Sequence, residues 1–202
     1  MSLNLVIIDW DDTLFPSSWI KDTNIDLNQQ NENLKLIFES IDHLINDLVY
    51  NLVDKCVLNI VSNGSHNWIK SCLNYLPYTS QIYDLEVFNI VSARDLFEND
   101  YPGGYDEWKK LAFKICLSEN MNGEFDSYNV ISIGDSDCEH KALMELEEWE
   151  CSNDKNLILK SIKLKRRPEL NELVEQLSIL NKQILNILEH EENKNYRLYN
   201  KN

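Results

Sequence analysis

The sequence predicts an α/β fold, a Rossmann-like three-layer sandwich around a mainly parallel central sheet. Three observations carry that prediction. Short apolar runs recur at Leu5 to Ile8, Val57 to Val61 and Asn129 to Ile133, the pattern of strands buried on both faces. Amphipathic helical stretches separate them, as in successive strand–helix–strand units. The runs end in polar or acidic loops, Asp9-Trp10-Asp11-Asp12-Thr13, Ser62-Asn63-Gly64 and Gly134-Asp135-Ser136-Asp137. In such a sheet these loops meet at the carboxyl ends of the strands, where ligands bind.

The elements follow in order. Leu5 to Ile8 is a doubly buried strand with Asp9, Asp11 and Asp12 directly behind it. Clustered carboxylates repel one another and resist desolvation, so a bound cation is expected to balance them. An Asn/Asp/Gln-rich linker runs to about Asn33. Leu34, Ile37, Phe38, Ile41, Leu44, Ile45, Leu48, Val49 and Leu52 then keep helical spacing, with Asn31 or Asn33 as cap. Asp42 and His43 fall on or near the polar side of that helix and receive no role.

Val57 to Val61 is the second strand. The helix after it carries Trp68, Ile69, Cys72 and Leu73 as its core side and is closed by Pro77. Leu85 to Val91 reads as the third strand, followed by a Pro102-Gly103-Gly104 turn. A helix from Asp106 brings Trp108, Leu111, Ala112, Ile115 and Cys116 inward. Asn129 to Ile133 is the fourth strand, and Ala142, Leu143 and Leu146 mark the next helix. Leu157 to Leu164 is the fifth strand. Pro168 suits the first turn of a last helix ending near His190, and the polar tail beyond reads as frayed.

The chain of 202 residues is long enough for a full core and reads as one domain, 1–202. Its formal net charge of -15 disfavours nucleic acid and anionic membrane surfaces as partners. The same charge repels phosphorylated substrates, so phosphate chemistry would need a metal or local cations. Cys56, Cys72, Cys116, Cys138 and Cys151 include no CxxC pair, and neither a signal peptide nor a bilayer-spanning run is visible. Free thiols and a cytoplasmic location are expected.

Taken together, the loops resemble the haloacid dehalogenase superfamily, most of whose members are Mg²⁺-dependent phosphatases working through an aspartyl-phosphate. Asp9-Trp10-Asp11-Asp12-Thr13 fits that family's first motif, DxDx[TV], and Ser62 fits its second. Lys109 is the best match to the motif-three lysine, with Lys110 and Lys114 behind it. Gly134-Asp135-Ser136-Asp137-Cys138-Glu139 resembles the fourth motif, GDxxxD, with Glu139 in place of the final Asp. The resemblance covers roughly residues 5 to 146.

By resemblance Asp9 is the nucleophile and Asp11 the acid/base, the latter also a metal ligand through its carbonyl. Ser62, Asn63, Gly64 and Lys109 bind the substrate phosphate. Asp9 and Asp135 hold Mg²⁺ directly, with Glu139 completing or orienting the shell and Asp137 its competitor. Asp12 reads as a structural or capping acid, Trp68 and Trp108 as core, His66 as a surface residue and Cys138 as a bystander. Little room remains for a cap domain, which suits a phosphorylated small molecule or a phosphoprotein at an open site. The alternative is a catalytically idle metal-binding or regulatory protein of the same fold, against which the presence of both Asp9 and Asp11 argues.

Overall fold

A computed structural model describes residues 2–29, 31–121, 125–150 and 156–199, with the backbone alone for 148–150; Cys151 lies outside the described residues. Six strands form a single, wholly parallel sheet: β1 (Ser2–Ile8), β2 (Val57–Ser62), β3 (Asn89–Ser92), β4 (Ser127–Gly134), β5 (Asn156–Lys163) and β6 (Lys194–Arg197). Their order is β3-β2-β1-β4-β5-β6. The helices are α1 (Ser17–Thr23), α2 (Glu32–Leu52), α3 (His66–Leu73), α4 (Pro77–Asp84), α5 (Ala93–Phe97), α6 (Tyr105–Ser118), α7 (Asp137–Glu150) and α8 (Leu170–Glu189).

Alternation along each strand divides the core in two. Val6 and Ile8 of β1, with Ile131 and Ile133 of β4, pack against Phe38, Ile41 and Ile45 of α2 and Leu173, Leu177 and Leu180 of α8. Leu5 and Ile7, with Tyr128 and Val130, pack on the other face against Trp108, Ala112 and Phe113 of α6 and Leu143 and Leu146 of α7. Each such buried aliphatic side chain contributes roughly 1.5–3 kcal/mol. This is the expected three-layer sandwich.

The order of strand addition reverses at β1, which lies between β2 and β4, so the chain connections diverge there. In open parallel sheets such a switch point is where a crevice forms at the carboxyl edge. The register pairs Ile8 with both Ile60 and Ile133, so the residues just beyond emerge level with one another.

Several elements differ from expectation. Pro77 opens α4 instead of closing α3. It occupies the first helical position, where its missing N–H is harmless. Asp42 is buried, and its carboxylate accepts from Tyr78 N, Thr79 N and Thr79 Oγ1 at 2.8, 2.8 and 2.6 Å, capping that same helix. The third strand starts only at Asn89, because Glu86 adopts a left-handed φ of 55° that no strand accommodates. Part of the linker folds as α1. Pro168 precedes the α8 cap, Glu169, whose carboxylate and that of Glu172 form a reciprocal capping box. The polar tail includes β6, which pairs with β5 from Lys160↔Lys194 to Lys163↔Arg197. Among the described residues no helix is long and apolar enough to cross a membrane.

Candidate active site

Asp9 leaves β1 at the crevice, where its backbone N–H still donates to Ile133 O at 2.9 Å. Lys109 reaches it from the first turns of α6. Trp108 beside it is fully buried and anchors the helix by donating Nε1–H to Tyr101 O at 2.7 Å. The Lys109 ammonium donates to Asp9 Oδ1 at 2.5 Å and to Val61 O at 2.6 Å, and lies 3.2 Å from Glu139 Oε1. Lys110 and Lys114 instead face Glu145, each at 3.3 Å.

Asp135 follows β4, and Glu139 comes from the first turn of α7. Glu139 Oε2 accepts from Ser136 N at 3.0 Å and Ser136 Oγ at 2.6 Å. The longer Glu arm fits because β4 ends in glycine: a Cβ on Gly134 would lie 2.4 Å from Glu139 Cγ. Asp137 points elsewhere, its side chain 85% exposed and paired with Lys163 at 2.7 Å.

Asp9, Asp135 and Glu139 are all buried and can bring one carboxylate oxygen each within 4.8 Å of the others. Burial opposes ionisation of Glu139, but Lys109 and Ser136 outweigh it and hold its pKa below the ordinary range. Burial likewise opposes the charge on Lys109, and Asp9 and Glu139 override it, so the ammonium stays protonated. One lysine balances one carboxylate. Asp9 is therefore pushed well upward by burial, against the pull of Lys109, with Glu139, Asp11 and Asp135 adding to the rise. Asp135 rises to about 7, through burial first and then through Glu139 and Asp12.

A divalent cation fits this deficit. With all three carboxylates ionised, one ammonium leaves two negative charges for a cation to balance, and an all-oxygen donor set suits Mg²⁺. Both Glu139 oxygens are already engaged, by Lys109 and Ser136. Asp9 and Asp135 would thus be the better direct ligands for such a cation, with Glu139 placed to orient them.

Asp11 lies near enough to act on the charge of Asp9 but is held by a separate set of partners. Its Oδ1 accepts from Ser17 Oγ at 2.5 Å and from Trp68 Nε1 at 2.8 Å, and its Oδ2 from Ser62 Oγ at 2.9 Å. Ser62 is fully buried and also accepts from Gly64 N at 2.8 Å. Asn63 Nδ2 ties the loop to α6 through Tyr105 O at 3.1 Å, and Ser92 Oγ donates to Gly64 O at 2.9 Å. Asp12 has a φ of 58° and accepts from Ser18 N at 2.7 Å, so it holds the start of α1. Trp10 is buried and stacked on Phe15 at 6.0 Å.

The fold brings together Asp9, Asp11, Ser62, Lys109, Asp135 and Glu139, with Asn63 and Gly64 on the same loop as Ser62. His66 is half-buried; its backbone N–H donates to Asp95. The Cys138 thiol donates to Asp106 Oδ1 at 2.7 Å, and burial, then Asp106, pushes its pKa to about 11. Trp108 lies in the core as its spacing implied, but Trp68 is 38% exposed and belongs to the site. Trp68, Ser17 and Ser136 are the additions. Their only signal in the sequence is proximity to the motif loops. Compared with protein-family models, curated proteins and solved structures, the chain matches none.

Proposed function

We propose that this chain is a Mg²⁺-dependent phosphomonoester hydrolase of the haloacid dehalogenase type, working through an aspartyl-phosphate on Asp9. The observation that carries this reading is the buried Asp9–Asp135–Glu139 group with a single ammonium against it, facing a second, separately held carboxylate at Asp11.

An oxygen of Asp9 attacks phosphorus, the bond from phosphorus to the ester oxygen breaks, and the departing oxygen takes a proton from Asp11. Asp11, now ionised, removes a proton from water as the water oxygen attacks the same phosphorus. The acyl-phosphate bond breaks, releasing inorganic phosphate and restoring the Asp9 carboxylate. Ser62 Oγ and the N–H groups of Asn63 and Gly64 are assigned to the phosphoryl oxygens, and Lys109 stabilises the charge developing on them. That assignment requires the Ser62 hydroxyl to turn from Asp11 and the Gly64 N–H to leave Ser62 Oγ. Bound Mg²⁺, held by Asp9, Asp135 and the Asp11 carbonyl with Glu139 in support, supplies positive charge to that group.

Among the described residues the elements between β1 and β3 are α1, a 3-10 turn (Leu27–Gln29), α2, β2, α3 and α4. The site is read as open, suiting a phosphorylated small molecule or a phosphoprotein in the cytoplasm, without nucleic acid. Purified protein is expected to release phosphate from p-nitrophenyl phosphate with Mg²⁺, and to stop on chelation or in Asp9→Asn. Full activity in Asp9→Asn overturns the mechanism. Mg²⁺ binding without turnover across phosphorylated metabolites and phosphopeptides favours a binding or regulatory role.

A further inference from the structure

We propose that Trp68 is a positioning residue for proton transfer: its indole N–H fixes the Asp11 carboxylate in the geometry that serves the leaving group. The inference rests on the phosphomonoesterase reading, since it assigns Asp11 the proton. Three donors hold Asp11, but they differ in kind. The hydroxyls of Ser17 and Ser62 rotate and can donate or accept, whereas an indole N–H only donates. The 2.8 Å contact from Trp68 Nε1 to Asp11 Oδ1 is therefore the one whose direction is set by the fold.

The ring itself has little freedom. Its edge contact with Phe15 has centroids 6.2 Å apart, and its backbone N–H donates to the helix cap Ser65 Oγ at 3.1 Å. A Cβ on Gly64 would lie 2.8 Å from Trp68 Cδ1, so the glycine is what lets the indole lie against the loop. The side chain is 38% exposed at the edge of the site, and its single polar atom is turned onto a carboxylate.

Trp68→Phe keeps a ring against Phe15 and Gly64 and deletes only the donor. The expected result is a loss that depends on the leaving group. Phenyl phosphate, whose departing oxygen needs the proton, should lose about tenfold in kcat/KM, the scale of one hydrogen bond to a charged group. p-Nitrophenyl phosphate, whose leaving group departs without help, should change less than about twofold by the same reasoning. Equal losses on both esters, or none, overturn the inference.

A second measurement needs no catalysis. The five tryptophans give five indole N–H signals in a ¹⁵N correlation spectrum, and Trp68→Phe identifies its own by loss. In Asp11→Ala that signal should move upfield while the others hold; an unmoved signal overturns the contact even if Trp68→Phe fails to fold. Wild-type protein that hydrolyses neither ester overturns the phosphatase reading, and the catalytic role of Trp68 with it. An active wild type with an unmoved signal overturns the role of Trp68 alone.

Discussion

Lys109 sets the behaviour of the acids around it, and Asp135 is where the imbalance can be measured. The Asp135 pKa, raised from 3.8 to about 7, lies above its unfolded value. Between those two values the folded chain retains a proton that the unfolded chain has lost, so stability falls as pH rises through the window. Metal-free protein should lose about 2 kcal/mol between pH 5 and 7.5 from this residue. Thermal melts should show the loss, Asp135→Asn should remove it, and Mg²⁺ should restore stability more at pH 7.5 than at pH 5. Gly134→Ala makes a second test, because its Cβ would lie 2.4 Å from Glu139 Cγ. It should cost about 1–3 kcal/mol in chemical denaturation, and less in a Glu139→Asp background, whose arm is shorter. At this scale Asp9, Ser62, Lys109 and Asp135 were legible because each sits at a fixed place in a motif. Trp68 was not, since its spacing with Ile69 and Cys72 cannot distinguish the rim of an apolar helix face from its centre.

Among the elements, β5 and α8 are joined by an unusual bolt. Lys160 is fully buried in β5, and its ammonium donates to Ile187 O at 2.8 Å and Leu188 O at 3.1 Å, the carbonyls ending α8. Burial lowers its pKa from 10.5 to about 8. Its folded pKa lies below the unfolded one, so the cost of the buried charge is fully present below pH 8. It is relieved between 8 and 10.5, where stability should rise with pH. Lys160→Met should abolish that alkaline rise in melting temperature while leaving α8 without its charged cap. Asp42→Ala should lower stability by about 2 kcal/mol or more, because it strips three hydrogen bonds from the start of α4. The inner strands β1, β2, β4 and β5 were readable from their apolar runs, and the edge strand β3 was read with its start four residues early. The edge strand β6 was not readable, because edge pairing uses backbone groups and asks little of side chains such as those of Lys194 and Asn195.

For the whole molecule, the parallel sheet followed from the alternation of strand and helix, and the location of the site from the loops ending β1, β2 and β4. What the sequence left open was which of several nearby groups would face the crevice. Neighbouring residues on one helix, such as Lys109, Lys110 and Lys114, are separated only by packing. The net charge of -15 acts at this scale too. It should repel phosphorylated substrates, so KM for a dianionic ester should fall when ionic strength rises from low to physiological, with kcat little changed. A KM that climbs with salt would point to local cations dominating the approach.

The position of β1 between β2 and β4 also bears on how the chain is made. Asp9 and Lys109 are one hundred residues apart, and β4 lies further on still. A ribosome therefore releases β1, the most apolar strand of the sheet, long before the partner for its second edge exists. During that interval an unpaired, hydrophobic strand edge is exposed to other chains. The strand leading into Asp9 is thus completed late, and nascent or truncated chains ending before residue 127 are expected to be the species most prone to aggregate.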